Sequence, residues 1–150
     1  MKVAIITAST AVYKGEKEDA SGKVIRKMVE EAGLDVVFMK ALPTDKTVLS
    51  TVFQRMADGN LADLILTTGG AGCGPEDCTP EDRPLLGIPE GMRAHMLTLT
   101  KRAMLNRAAA GIRGNVVIVN LPGKAGAVKE CLGYILPEVM HAVEVAQGIK

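Results

Sequence analysis

Leu64-Ile65-Leu66-Thr67-Thr68-Gly69-Gly70-Ala71-Gly72-Cys73-Gly74-Pro75-Glu76-Asp77-Cys78-Thr79-Pro80-Glu81 is the stretch that decides the fold. Its first three residues form an uninterrupted β-prone apolar run, which suits a strand covered on both faces. The residues after it change character at once. Gly69, Gly70 and Gly72 carry no side chain, so their backbone N–H groups can come close enough to a phosphate or pyrophosphate to donate to its oxygens. Asp77 stands just downstream, where a carboxylate can hold a metal ion on those same phosphates. Thr79-Pro80-Glu81 reads as a helix start with proline at the first helical position. The stretch has neither the Walker lysine nor a G-x-G-x-x-G frame, so by spacing alone a plain glycine-rich turn explains it equally well.

Moving outward, Val3-Ala4-Ile5-Ile6 is a second buried-strand run, followed by a polar segment over residues 7–19 that is expected to be a loop or switch segment. Ser21 is placed as an N-cap, Val24, Ile25, Met28, Val29 and Ala32 make one helical stripe, and Gly33 fits the C′ position. Val36-Val37-Phe38-Met39 predicts another buried strand, which Pro43 breaks. Thr44 or Asp45 can cap the next helix, whose stripe is Val48, Leu49, Val52, Phe53 and Met56. Residues 91–104 read as a less regular helix with Met92, Met96, Leu99 and Ala103 inward. Residues 116–121 are a buried strand that delivers Pro122-Gly123 to its carboxyl end, and 127–136 and 137–146 read as two closing helices.

This alternation predicts an α/β fold: a three-layer α/β/α sandwich with a mostly parallel central sheet, and a single domain over residues 1–150. Open sheets of this kind bind ligands at the carboxyl ends of their strands. Three loops, at 7–19, 67–79 and 120–126, should therefore meet at one edge.

Composition narrows the function. The 150 residues hold 18 basic and 17 acidic side chains, a net charge of +1, so there is no basic field for nucleic acid. No stretch of about 18 apolar residues or signal-peptide cleavage pattern is present, which points to a cytoplasmic protein without a membrane partner. The 3 cysteines, Cys73, Cys78 and Cys131, suit neither a disulfide framework nor structural zinc and read as space-filling residues. With 2 Tyr, 2 Phe and no Trp, the core must be aliphatic, helped by 8 Met. The Met92, Met96 and Met104 stripe reads as core or oligomer packing. Arg93, Arg107 and Arg113 are candidates for phosphate contacts, against the alternative of solvated or interface arginines. His95 and His141 lack carboxylates at ligand spacing and read as structural or surface residues.

Taken together, the motifs resemble the molybdenum cofactor biosynthesis family of MogA and MoaB type, the molybdopterin adenylyltransferases. Residues 67–81 match most of the family form T-T-G-G-T-G-x-x-x-R-D-x-T-P-E in unbroken register. Asp19-Ala20-Ser21-Gly22 is similar to its D-x-S-G before the first helix. Asn106 to Gly111 followed by Asn120-Leu121-Pro122-Gly123 is similar to its S-R-A-x-A-G and N-L-P-G block, so the likeness covers nearly the whole chain.

The resemblance implies Mg2+ as cofactor, ATP and molybdopterin as substrates, a homo-oligomer (trimer or hexamer), and a molybdenum-insertion protein as a further partner. It implies Asp77 and Asp45 as catalytic residues, with Asp77 on the metal. It also implies a binding set of Gly69, Gly70, Ala71, Gly72, Asp19, Ser21, Gly22, Thr79, Arg107, Asn120, Leu121, Pro122 and Gly123. The chain departs from the family at several positions, beginning with Ser9-Thr10-Ala11 where the family's first strand usually runs into S-D-R. Thr44 replaces an acidic residue that only Asp45 can replace by a shifted reach, Glu76 stands where the family generally has Arg, Ala71 replaces Thr, and Lys124-Ala125-Gly126 replaces S-P-K. Three functions stay open: an adenylyltransferase, a catalytically silent molybdopterin-binding or carrier protein, and an oligomeric interaction domain of a cofactor-synthesis assembly.

Overall fold

A computed structural model describes residues 1–69 and 83–150. In chain order its elements are β1 (Lys2–Ala8), α1 (Thr10–Tyr13), α2 (Ala20–Glu31), β2 (Asp35–Leu42), α3 (Lys46–Asp58) and β3 (Leu64–Thr68). Then follow β4 (Arg83–Pro84), α4 (Gly87–Leu97), a 3-10 turn (Lys101–Leu105), β5 (Ala110–Arg113), β6 (Val116–Leu121) and α5 (Ala125–Ala146). The six strands form one sheet in the order β2-β1-β3-β6-β5-β4. β2, β1, β3 and β6 run parallel, while β5 and β4 add an antiparallel edge.

Strand alternation splits the core in two. Val3, Ile5, Leu64, Leu66, Val117 and Val119 face α2, α4 and α5, meeting Ile25, Val29, Met92, Leu132 and Val139. Their neighbours Ala4, Ile6, Ile65, Val116 and Ile118 face α3 and pack on Leu49, Phe53 and Met56. Helices on both faces of a mostly parallel sheet are the expected three layers.

Several local expectations are corrected. The 7–19 segment is not a plain loop: β1 continues to Ala8, and Ser9 caps the short α1 by accepting from Val12 N. Asp19, not Ser21, is the N-cap of α2, because its carboxylate accepts from Gly22 N at 2.9 Å. Gly33 does take the left-handed C′ conformation, with φ of 80°. β2 is an edge strand and only half-buried, and Val48 on α3 is exposed. The 91–104 helix is in fact α4 plus the 3-10 turn, which leaves Leu99 at 58% exposure and not inward. The two closing helices are one. α5 runs through Pro137 because its apolar positions, from Val128 to Val143, stay seated on the sheet along its whole length.

Candidate functional site

The expected edge is where the central strands end. Ala8, Thr68 and Leu121 are the last residues of β1, β3 and β6, and these parallel strands stop side by side. Gly69 follows β3 with φ of 78°, and a Cβ there would lie 2.5 Å from the Ala8 carbonyl oxygen. Only glycine fits that position. A Cβ on Gly123 would touch Gly69 Cα at 3.6 Å, so the turn after β6 lies directly against the start of the glycine loop.

Two helices begin at the same edge. α2 starts at Asp19, whose carboxylate also accepts from Thr7 Oγ1 at 3.0 and 2.9 Å. A side chain at Gly22 would collide with that carboxylate. Ser21, in the first turn of α2, donates to the Gly123 carbonyl at 2.6 Å, and Thr68 Oγ1 donates to the Pro122 carbonyl at 2.5 Å. α5 starts just past the same turn, with Lys124 at its N-cap position and no side chain capping it. The N-termini of α2, capped by the Asp19 carboxylate, and of α5, capped by no side chain, thus lie at one edge, and the uncapped α5 end favours an anion.

The other binding candidates take distinct places. Asn120 is buried; its Nδ2 donates to Thr67 Oγ1 at 2.9 Å and its Oδ1 accepts from Ala109 N at 3.3 Å. This ties the segment carrying Arg107, which is exposed, to the end of β6. Leu121 points wholly into the core, so only its backbone can serve a ligand. Asp45 stands at the same edge, three residues past the end of β2, where it caps α3 by accepting from Val48 N at 3.0 Å. Gly70, Ala71, Gly72, Asp77 and Thr79 lie outside the described residues, as do Glu76, Cys73 and Cys78.

Two arginine candidates are occupied elsewhere. Arg93 holds the carbonyls of Asn106 and Ala108, at 3.4 and 3.0 Å, and so braces the approach to β5. Arg113 makes a two-point contact with Asp58, at 2.9 and 3.1 Å, and holds that carboxyl below its usual range chiefly by hydrogen bonding. The histidines do have carboxylate neighbours. His95 Nε2 lies 3.3 Å from Glu130 with its ring stacked on Tyr134, and His141 lies 3.8 Å from Glu144. Cys131 is a buried core thiol, pushed up to about 11 by burial and then by the Glu130 charge. Among the described residues no cluster of three or more metal-ligating side chains occurs, and no helix is long and apolar enough to cross a membrane.

Sequence reasoning missed Thr7 and Thr68 as individual residues. The signal was present: each is a hydroxyl residue in the last two positions of a strand, after its aliphatic run. Among the described residues the buried polar ones are Thr7, Ser21, Thr67, Thr68 and Asn120, and all belong to this edge.

A mostly parallel α/β sheet whose central strands end at a glycine turn beside two helix N-termini defines an open α/β domain with its candidate site at that edge. The chain belongs to the family described as the probable molybdopterin binding domain, whose profile matches residues 4–141. It is 39% identical over 157 residues to the molybdopterin adenylyltransferase of Pyrococcus furiosus, covering 97% of this chain and 91% of that protein. Identity to the molybdopterin adenylyltransferase of Helicobacter pylori is 32% over 154 residues, covering 97% of this chain and 88% of that one. Its fold matches the crystal structure of the molybdopterin biosynthesis enzyme MoaB from Thermus thermophilus with a TM-score of 0.87. The sequences there are 35% identical, with coverage of 98% and 96%.

Proposed function

We propose that this chain is a molybdopterin adenylyltransferase of molybdenum cofactor biosynthesis. The observation that carries the reading is the Gly69–Gly123 contact, which joins the glycine loop to the Leu121-Pro122-Gly123 turn between two helix N-termini. In the reaction a terminal phosphate oxygen of molybdopterin forms a bond to the α-phosphorus of ATP. The bond from that phosphorus to the bridging oxygen breaks, and pyrophosphate leaves with the electron pair.

Two anions must meet, so the site has to supply donors and positive charge and hold the reactants in line. Gly69, with Gly70 and Gly72 after it, gives backbone N–H donors to one phosphate group. The Pro122-Gly123 turn receives the other, and Arg107 offers a guanidinium to either. Asp77 would hold Mg2+, which would neutralise polyphosphate charge. Asp45 would assist from the end of β2.

Glu76 favours a second reading. An anion where the family generally has a cation opposes polyphosphate, which suits a silent molybdopterin binder of the same fold. Calorimetry with Mg-ATP, with and without molybdopterin, separates the two readings. The transferase binds Mg-ATP in either titration, whereas the silent binder takes up the pterin alone.

We further infer a homotrimer, with a hexamer as the alternative, because Leu97, Leu99, Met104 and Leu105 leave apolar surface at 44%, 58%, 69% and 76% exposure. Light scattering is expected to give a multiple of the 15.8 kDa chain mass, and a monomer at micromolar concentration contradicts this. The reaction belongs in the cytoplasm, where ATP is supplied and a thiol such as Cys131 stays reduced. Its product is then passed to a molybdenum-insertion protein.

A further inference from the structure

Thr7 and Thr68 are direct partners across the β1–β3 pairing. From Thr7 the hydroxyl reaches Asp19, Asp19 caps α2, and two residues on Ser21 reaches the Gly123 carbonyl. The adjacent Pro122 carbonyl is held by Thr68, which returns the path to β3. These bonds form a closed ring: β1, the first turn of α2, the turn after β6, then β3, and back to β1. Every side chain in it lies on the sheet face that packs on α2 and α5, since Thr7 and Thr68 continue the alternation of Val3, Ile5, Leu64 and Leu66.

Among the described residues no buried side-chain polar atom lacks a partner. A satisfied, partly buried network of this kind adds little net stability per bond but fixes one geometry. What it fixes is the turn facing Gly69. Both carbonyls of the Pro122-Gly123 pair are committed to hydroxyls, so neither peptide plane is free to rotate. Each peptide N–H points opposite its own carbonyl, so holding the carbonyls also sets the directions of the Gly123 and Lys124 N–H groups.

We propose that Thr7, Ser21 and Thr68 are positioning residues that hold the phosphate crevice preformed, and that Ser21 serves the turn instead of touching substrate. This deepens the adenylyltransferase reading and rests on it for the identity of the substrate. The ring acts as one unit, so breaking it at one point relaxes the whole turn.

The test uses Thr68→Val, Ser21→Ala, Thr7→Val and the Thr7→Val/Thr68→Val pair, each assayed for AMP transfer and for molybdopterin binding by fluorescence titration. Each single variant is expected to raise KM and Kd for molybdopterin about tenfold, the consequence of leaving a carbonyl or carboxylate partner unsatisfied, with kcat within about threefold of wild type. The double variant is expected to cost little more than either single one, because the ring is already open. Thr68→Ser, which keeps the hydroxyl, restores wild-type binding. Folded variants with unchanged KM and Kd, or effects of Thr7→Val and Thr68→Val that simply multiply, overturn the ring. A wild-type protein that binds molybdopterin but transfers no AMP overturns the transferase reading alone, since the ring is still read from the binding constants. A wild-type protein that binds no molybdopterin overturns both.

Discussion

The central strands have two ends built from different materials and buried equally well. Over Val3–Ile6, Leu64–Leu66 and Val116–Val119 every side chain is aliphatic and at most 1% exposed. At the carboxyl ends, Thr7, Thr67, Thr68 and Asn120 are 5%, 4%, 0% and 4% exposed, yet each is polar. Burying apolar surface supplies most of the folding free energy, whereas a buried hydroxyl or amide costs free energy unless it is hydrogen-bonded. The contrast shows where stability is generated and where it is exchanged for a defined geometry. The polar end is the end where Gly69 meets the Pro122-Gly123 turn.

Breaking the apolar region gives the largest effect. Leu66→Ala opens a cavity under α2 and α5 and is expected to lower unfolding free energy by about 2–5 kcal/mol in a urea titration. Molybdopterin affinity of the folded fraction stays unchanged. A large loss of affinity at full folding would remove the division of labour between the two ends.

Asp77→Asn sharpens the other side of the comparison. It removes charge at the proposed metal position without changing shape, so AMP transfer at saturating magnesium should fall on the order of a hundredfold. The thermal midpoint should stay within a degree or two. An unchanged rate would take Asp77 out of the chemistry.

Gly69→Ala tests the junction between the two regions, where a positive φ meets a close backbone approach. The Ala8 carbonyl cannot yield without moving β1, so the variant is expected to lose about 1–3 kcal/mol of stability and about tenfold in molybdopterin affinity together. Loss of one without the other would separate the crevice from the sheet end.

The smallest effect belongs to the core thiol. Cys131 in the folded protein ionises near 11, whereas an unfolded thiol ionises near about 8.5. Burial therefore favours the neutral form, and stability is intact below about pH 8.5 and declines as pH rises toward 11. Iodoacetamide at pH 8 should leave Cys131 unmodified in native protein and alkylate it after unfolding, as read by peptide mass. Alkylation at the native rate of an exposed cysteine would contradict its burial.

The same contrast explains what was legible in the sequence. Uninterrupted aliphatic runs announced β1, β3 and β6, and the loops at their ends announced the edge. β4 and β5 were not legible, because Arg83–Pro84 and Ala110–Arg113 are short and become strands only by pairing with a distant partner. α5 was split at Pro137, since local propensity could not register the packing that carries the helix through it. Asp19 and Ser21 are both good caps, and only the structure shows that Asp19 accepts from Gly22 N while Ser21 is taken up by the Gly123 carbonyl. The family motifs located Asn120 and Gly123, whereas the part played by Thr7 and Thr68 required the three-dimensional ring. Asp77 and the later glycines were named from sequence and lie outside the described residues.

The central claim is that this edge transfers AMP to a pterin phosphate. The most direct measurement incubates the protein with molybdopterin, magnesium and ATP labelled at either the α- or the γ-phosphorus, and follows the label. The account predicts that the α-label appears on the pterin and the γ-label in pyrophosphate, in equal amounts. No label on the pterin, or γ-label on it, would contradict the account.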